Sequence, residues 1–326
     1  MGRLYLILAL LAVGIAAVFV VPIIRRKVTG DETKSKGSVL YKILGVVLVA
    51  YVTSMIIVLL WGAMTSFKDP LNDFDYNIIG LPSKFYLGNF VNVFKYFKVS
   101  VEGGFTYNFV GMFINSIMYA VGNSVIRVCV LFIVAYAAAR FKFLVGRIIY
   151  GIVIVGMILP IVGAQPSMIR VADSLGLYDS FWGMYIQKAN FMGMHFLILH
   201  ATLAAFPKDY DEAAQIDGAS NLAVMFRIMW PLAMTTFATI LLLNFITEWN
   251  DYSTPMLFLP NHPTVAYGLQ TFNGGKGSAT DADSTIATYT PVKLAACFLS
   301  ALPTLILFMI FHDKLLNNLS IGGVKE

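Results

Sequence analysis

The chain is built of long, nearly unbroken apolar runs separated by shorter polar stretches. The runs cover residues 4–24, 40–64, 110–138, 147–168, 186–206, 231–250 and 293–311. Each has about 20 residues, enough at ~1.5 Å per residue to cross ~30 Å of hydrocarbon as a helix. They are too evenly apolar for an amphipathic period to stand out, as expected of helices that face lipid and one another. A membrane barrel would show shorter, alternating segments. Only helices and closed barrels satisfy their backbone groups in lipid, so the pattern predicts an all-α integral membrane protein with seven spans.

Composition agrees with lipid as the solvent. Of 326 residues, 58% are hydrophobic and only 13% charged, against about a quarter charged in a soluble chain. The net charge of +5 would suggest nucleic acid in a soluble protein; here loop charges that set topology explain it better. The segment 25–42 carries Arg25, Arg26, Lys27, Lys34, Lys36 and Lys42, so it is expected in the cytoplasm. Alternation then puts Arg140, Lys142, Arg147, Lys208, Arg227, Lys314 and Lys325 on the same side, with the N-terminus out and the C-terminus in. The first run is long for a signal peptide. Its basic cluster follows the apolar stretch instead of preceding it, so an uncleaved helix is expected.

Two outer segments are long enough to fold. Residues 65–109 are rich in aromatics, expected partly as an interfacial belt and partly as packing onto helix ends. Residues 252–292 hold Pro255, Pro260, Pro263 and a glycine-rich tract at 273–277, and are expected to be irregular and partly mobile. Cys129 and Cys297 lie in apolar runs without a C-x-x-C partner, which points to buried small residues.

The stretch 207–231, PKDYDEAAQIDGASNLAVMFRIMWP, lies between two spans. Pro207 ends one span. Asp209, Asp211, Glu212 and Asp217 lend a short helix over 209–217 its acidic bias. Gly218 is free to reverse the chain, and Ser220 is an N-cap for a second short helix carrying Leu222, Val224, Met225 and Ile228. Such a unit at a membrane face is either a solvated connection or a protrusion that docks into a partner's groove. Its second half would expose Leu222, Met225 and Phe226 to water, which favours docking.

This stretch resembles the EAA loop of importer permeases of the ATP-binding-cassette class, E-A-A-x3-G-x9-I-x-L-P. Here the pattern falls on Glu212, Ala213, Ala214, Gly218, Ile228 and Pro231, with Trp230 in place of leucine. The closing sequence Gly322, Gly323, Val324, Lys325 is similar to the tail of the second, MalG-like membrane subunit of maltose-type sugar importers. Asn115, Ser116 and 135–143, AYAAARFKF, resemble that family's second core helix. Val265, Ala266, Tyr267 and Gly268 resemble its last outer loop. The resemblance covers roughly 40–326. It implies a six-helix permease core over 40–313 with the coupling loop at 207–231, a cytoplasmic tail at 314–326, and an extra helix with basic linker at 1–39. It further implies a homologous permease partner, two ATPase subunits that Glu212 and the tail would contact, and an extracytoplasmic binding protein touching 265–268. The setting would be a bacterial or archaeal cytoplasmic membrane. The expected function is binding-protein-dependent import of a sugar or oligosaccharide, or of a polyol or glycerol phosphate through the same architecture.

Some readings are narrowed by what the residues lack. Gly275-Lys276 has Gln270 where a phosphate loop needs glycine and Gly277 where it needs Ser or Thr, so ATP and Mg are expected on a separate ATPase and no cofactor on this chain. His195 and His200 are five apart and do not share a helix face, so no metal site is expected. No cluster of acids, bases or ligands suggests an intramembrane enzyme, so no catalytic residue is assigned. A self-sufficient secondary carrier would place ionisable groups at mid-depth. Arg127 is one such group, readable as a pathway residue, a structural pair or a snorkelling side chain. Glu248, with Asn250 and Asp251, is either a polar rim of an outer vestibule or a helix end meeting water.

Overall fold

A computed structural model describes residues 39–141, 144–159, 163–273 and 282–319. The expected N-terminal helix at 4–24, the basic linker, the glycine tract at 274–281 and the tail residues Gly322, Gly323, Val324 and Lys325 lie outside the described residues. Among those described the chain is helical, apart from one two-stranded hairpin. Helix α1 covers Val39–Ser66 and α2 Gly88–Tyr96. Strands β1 (Lys98–Ser100) and β2 (Thr106–Asn108) pair antiparallel, Val99 opposite Tyr107. Then come α3 (Phe109–Arg140), α4 (Leu144–Ile158), α5 (Gln165–Ser174), α6 (Phe181–Lys188) and α7 (Met194–Ala205). They are followed by α8 (Asp209–Ile216), α9 (Asn221–Leu232) and α10 (Met234–Asn250). The last are α11 (Ser253–Phe258), α12 (Val265–Asn273), α13 (Ala282–Thr288) and α14 (Thr290–Leu319).

Among the described residues, Leu44–Ser66, Phe109–Arg140 and Thr290–Phe311 are long and apolar enough to cross a membrane. The pair α9 and α10, bent by 77°, makes a fourth if taken as one span. Two expected spans are broken. The run 147–168 is divided between α4 and α5: Gly163 has φ +80°, and Pro166 opens α5. The run 186–206 is divided between α6 and α7, where Gly193 takes φ +119°, a conformation closed to side chains with a Cβ. The segment 252–292, expected to be irregular, holds α11, α12 and α13. Cys297 is exposed and Cys129 half-buried; both are free thiols.

The described chain falls into two compact units. One runs to Val93 and includes Thr285–Phe298; the other comprises Phe94–Ser284 and the residues from Leu299. In the first, the segment after α1 folds around a buried lysine. Lys68 donates from Nζ to the carbonyls of Asn77 (2.6 Å) and Ile78 (3.0 Å). The amide of Asn89 ties down the carbonyls of Ser66 and Lys68, and the Phe67 ring packs between Phe85 and Phe90.

In the second unit α3 is the central element. Its N-cap Asn108 accepts from the N–H of Gly111 at 2.8 Å. One stripe of α3 is buried, and it changes character along its length. In its first half Asn115, Ser116, Tyr119, Asn123 and Ser124 are buried among Phe109, Met112 and Ala120; Val128, Leu131, Phe132, Ala135 and Tyr136 fill the second. The second half packs with Phe196, Leu199 and Leu203 of α7 and with Val224, Met225, Met229, Phe237 and Ile240 into one apolar core.

Candidate functional site

The 207–231 segment begins where α7 ends. As expected, α8 covers Asp209–Ile216, with Asp209, Asp211 and Glu212 in its first turn, where the helix dipole favours negative charge. Gly218 takes φ +81°. There its N–H and that of Ala219 close onto the carbonyls of Gln215 (3.0 Å) and Ala214 (2.9 Å), satisfying the end of α8. The Ser220 hydroxyl then accepts from the N–H of Ala223 and starts α9. Within α9 the residues Met225–Met229 form a π-helical turn, the N–H of Trp230 reaching the carbonyl of Met225. Pro231 follows directly. Its ring cannot sit against the carbonyl four residues back in an ordinary α-turn, and the wider turn relieves that conflict.

The two faces of this helix pair differ. Ala214, Val224, Met225 and Met229 are buried in the apolar core, and Ile228 and Trp230 pack against it. Trp230, which stands where the resembling family has leucine, lies 5.0 Å from the Phe132 ring and 4.4 Å from that of Phe237. Such ring pairs add about 0.5–1.5 kcal/mol each beyond their buried area. Glu212, Ala213, Gly218 and Pro231 are exposed, as are Tyr210, Leu222 and Phe226, and Ile216 is 86% exposed. Of the two alanines, Ala214 therefore serves the chain's own packing and Ala213 faces outward. Sequence reading named Leu222, Met225 and Phe226 as exposed; Met225 points inward, and Ile216 takes its place on the outer face.

Arg140, read from sequence only as a topological charge, anchors this segment. It closes α3 and donates from Nε to Asp211 Oδ2 at 2.6 Å, from Nη1 to the carbonyls of Phe206 (2.8 Å) and Leu203 (3.3 Å), and from Nη2 to that of Pro207 (3.0 Å).

The other end of α3 holds the 265–268 segment. Asn115 donates to the carbonyl of Pro263 at 3.1 Å, and the Ser116 hydroxyl accepts from the N–H of Val265 at 2.8 Å. Twenty-five helical positions separate Asn115 from Arg140, about 37 Å along the axis. Val265 and Gly268 are buried, whereas Ala266 and Tyr267 are half-buried. A Cβ on Gly268 would come within 2.7 Å of the Met112 sulfur, so this glycine brings α12 against α3.

Between the two ends lies a charged cluster. Lys188, the last residue of α6, places Nζ 2.9 Å from Glu248 Oε1 and 3.8 Å from Asp251 Oδ2. Asn123 reaches Glu248 Oε2 at 3.4 Å, and the Tyr119 hydroxyl donates to Asp251 Oδ2 at 3.2 Å. Glu248 is only 2% exposed. It is therefore not a helix end meeting water but one half of a buried ion pair, needed because an unpaired charge at this depth is costly. Arg127 is half-buried one turn further along α3. Its Nε, with Asn123 Oδ1 and Ser124 Oγ, is buried without a hydrogen-bond partner among the described residues. Sequence reading found Arg127, Glu248 and Asp251 but missed Lys188, Tyr119 and Asn123 as their neighbours. The signal was present: Asn115, Tyr119, Asn123 and Arg127 recur every four positions, one polar face on an otherwise apolar helix.

A family model described as "Binding-protein-dependent transport system inner membrane component" matches residues 130–320. The chain is 27% identical over 285 residues to a probable ABC transporter permease protein, YurM, of Bacillus subtilis, covering 86% of this chain and 87% of that one. It is 26% identical over 287 residues to the trehalose/maltose transport system permease protein MalG of Thermococcus litoralis, covering 87% and 95%. Arabinooligosaccharides transport system permease protein AraQ of Bacillus subtilis is 24% identical over 215 residues, 65% and 72% of the two chains. In fold it is similar to a chain of a bacterial ABC transporter involved in the import of the acidic polysaccharide alginate. The TM-score is 0.72 at 20% identity, over 87% of this chain and 99% of that one.

Proposed function

The chain belongs to the family of binding-protein-dependent transport system inner membrane components, and from that premise we propose that it is a transmembrane permease subunit of an ATP-driven importer for a sugar or oligosaccharide. The names of its relatives support the solute class: trehalose and maltose for one, arabinooligosaccharides for another. ATP and Mg would be bound by two copies of a separate ATPase, and a homologous permease would complete the solute path. An extracytoplasmic binding protein would deliver the solute, and the membrane would be the cytoplasmic membrane of a bacterium or archaeon.

One observation carries the coupling role. The α8–α9 pair is fixed inward by Ala214, Met225 and Met229 while it turns Glu212, Ala213, Ile216, Leu222 and Phe226 outward. That is a rigid projection with an apolar, acid-edged face, suited to a groove on a partner. Closure of the ATPase pair would push this projection, and α3 and α10, packed on it, would tilt. The 265–268 segment at the opposite end of α3 would then stand on the side where the binding protein docks. Access to the path would alternate as a two-state element biased from both ends.

Purification of the tagged chain from cells expressing its neighbouring genes tests the reading. An ATPase that co-purifies, and that dissociates when Glu212 is replaced by Ala, is the expected result. A chain that transports solute with no ATPase attached would overturn it. So would labelling of a cysteine placed at Ile216 by an impermeant reagent added to the outer face of intact cells.

A further inference from the structure

Arg140 holds two elements, and it holds them unequally. Three of its four hydrogen bonds go to the carbonyls of Leu203, Phe206 and Pro207, at the end of α7 and just beyond it. The last carbonyls of a helix lack helical donors, and a cation there is favourable. The fourth bond, from Nε, crosses to α8 at Asp211, the residue before Glu212. The side chains are 3% and 16% exposed, so solvent screens this pair little. Asp211 Oδ1 is buried and accepts no hydrogen bond within the described chain. The carboxylate thus hangs on one oxygen, while the guanidinium is fixed on three carbonyls.

We infer that Arg140 is a positioning residue that passes displacement of the coupling segment to α3, with the single Arg140–Asp211 contact as the link through which α8 pulls on that helix. The inference rests on the coupling role given above to α8 and α9. Arg140 is the right chemical type for the task. Its planar fork addresses α7 and α8 from separate nitrogens, whereas a lysine would bring all its donors from one atom. Its position is also right. Arg140 ends the same helix whose Asn123 and Tyr119 bind Glu248 and Asp251, about 25 and 31 Å away along the axis. A displacement at the Arg140 end therefore reaches that charged cluster through one continuous helix.

The test uses the whole transporter, this chain assembled with its partner permease and ATPases in lipid nanodiscs. Amide exchange is followed over 115–127 and 203–216, without nucleotide and with ATP plus vanadate as the probe. In the unmodified assembly nucleotide should change exchange in both regions. Asp211→Asn should retain the ATPase and the protection of 203–207 but cut the nucleotide-induced change over 115–127 at least fivefold. Asp211→Glu, which keeps the carboxylate, should restore it. Arg140→Lys should behave like Asp211→Asn, with some loss at 203–207 as well. Arg140→Gln removes the cap of α7 and is the variant most prone to misassembly; Asp211→Asn, which leaves that cap in place, is therefore the decisive variant. A full nucleotide response over 115–127 in Asp211→Asn and Arg140→Lys, with ATPase bound, would overturn the inference. An unmodified chain that retains no ATPase would instead overturn the importer reading, and this inference with it.

Discussion

Lys188 and Glu248, sixty residues apart in sequence, meet at 2.9 Å beside the central helix, with the carboxylate almost wholly removed from solvent. The contact ties the end of α6 to α10. Removing one partner of a buried ion pair typically costs ~3–5 kcal/mol, because the other charge is left stranded. Glu248→Ala and Lys188→Met should each lower the thermal midpoint of the purified protein, with Lys188→Met the larger loss. It strands Glu248, whereas Glu248→Ala leaves Lys188 within 3.8 Å of Asp251. The double variant Lys188→Met, Glu248→Gln should recover most of either loss. A double variant no more stable than the worse single would show that pairing is not what the two residues contribute.

The reversal between α8 and α9 should be sensitive at Gly218. A β-branched residue at φ +81° carries a penalty of ~1–2 kcal/mol or more. Gly218→Val should therefore loosen the projection and reduce ATPase retention, while insertion into the membrane is unaffected. Retention measured by pull-down beside total membrane-extracted protein separates the two effects.

The outer apolar face should matter more than its small size suggests. Ile216 makes no contribution to the chain's own core, so Ile216→Asp should leave the stability of the purified protein unchanged within about 0.5 kcal/mol. The same change puts a charge into any interface formed there and should weaken ATPase retention at least tenfold. Equal retention would mean that the partner does not cover this position.

Acid should loosen the segment after α1. Burial alone would raise the Asp73 carboxyl. The N–H and hydroxyl of Ser83, the Asn77 amide and the nearby Lys68 charge outweigh that and hold it below the ordinary carboxylate range. Asn72, with backbone N–H groups, does the same for Asp69. A carboxyl depressed in the folded state contributes stability above its unfolded value, near 4, and loses it as pH falls through the folded value. Amide protection over 67–90, taken relative to the intrinsic exchange rate, should therefore fall below pH ~4, and Asp73→Asn should flatten that response.

What could be read from sequence follows from what hydropathy measures. α1, α3 and α14 were legible because an uninterrupted apolar run leaves the backbone no alternative in lipid. The α8–α9 reversal was legible because Gly218 and Ser220 impose their turn and cap locally. The breaks at Gly163 and Gly193 were not, since an apolar count is blind to the sign of φ. Nor were the pairings Lys188–Glu248 and Arg140–Asp211, where each charge alone reads as a loop end or a topological signal. Only the fold brings together partners 60 and 71 residues apart. The four-residue recurrence of polar side chains along α3 is the one long-range feature that the letters alone displayed.

The exposed Ile216, Leu222 and Phe226 have a consequence for the cell that makes this chain. On the importer reading proposed above, a copy synthesised in excess of its companions carries a greasy knob with nothing to shield it. Such orphans invite clumping and destruction by quality-control proteases. On that reading the surface chemistry of this chain calls for matched output of the subunits, and overproducing it alone should yield a short-lived protein that co-production of the proposed ATPase rescues.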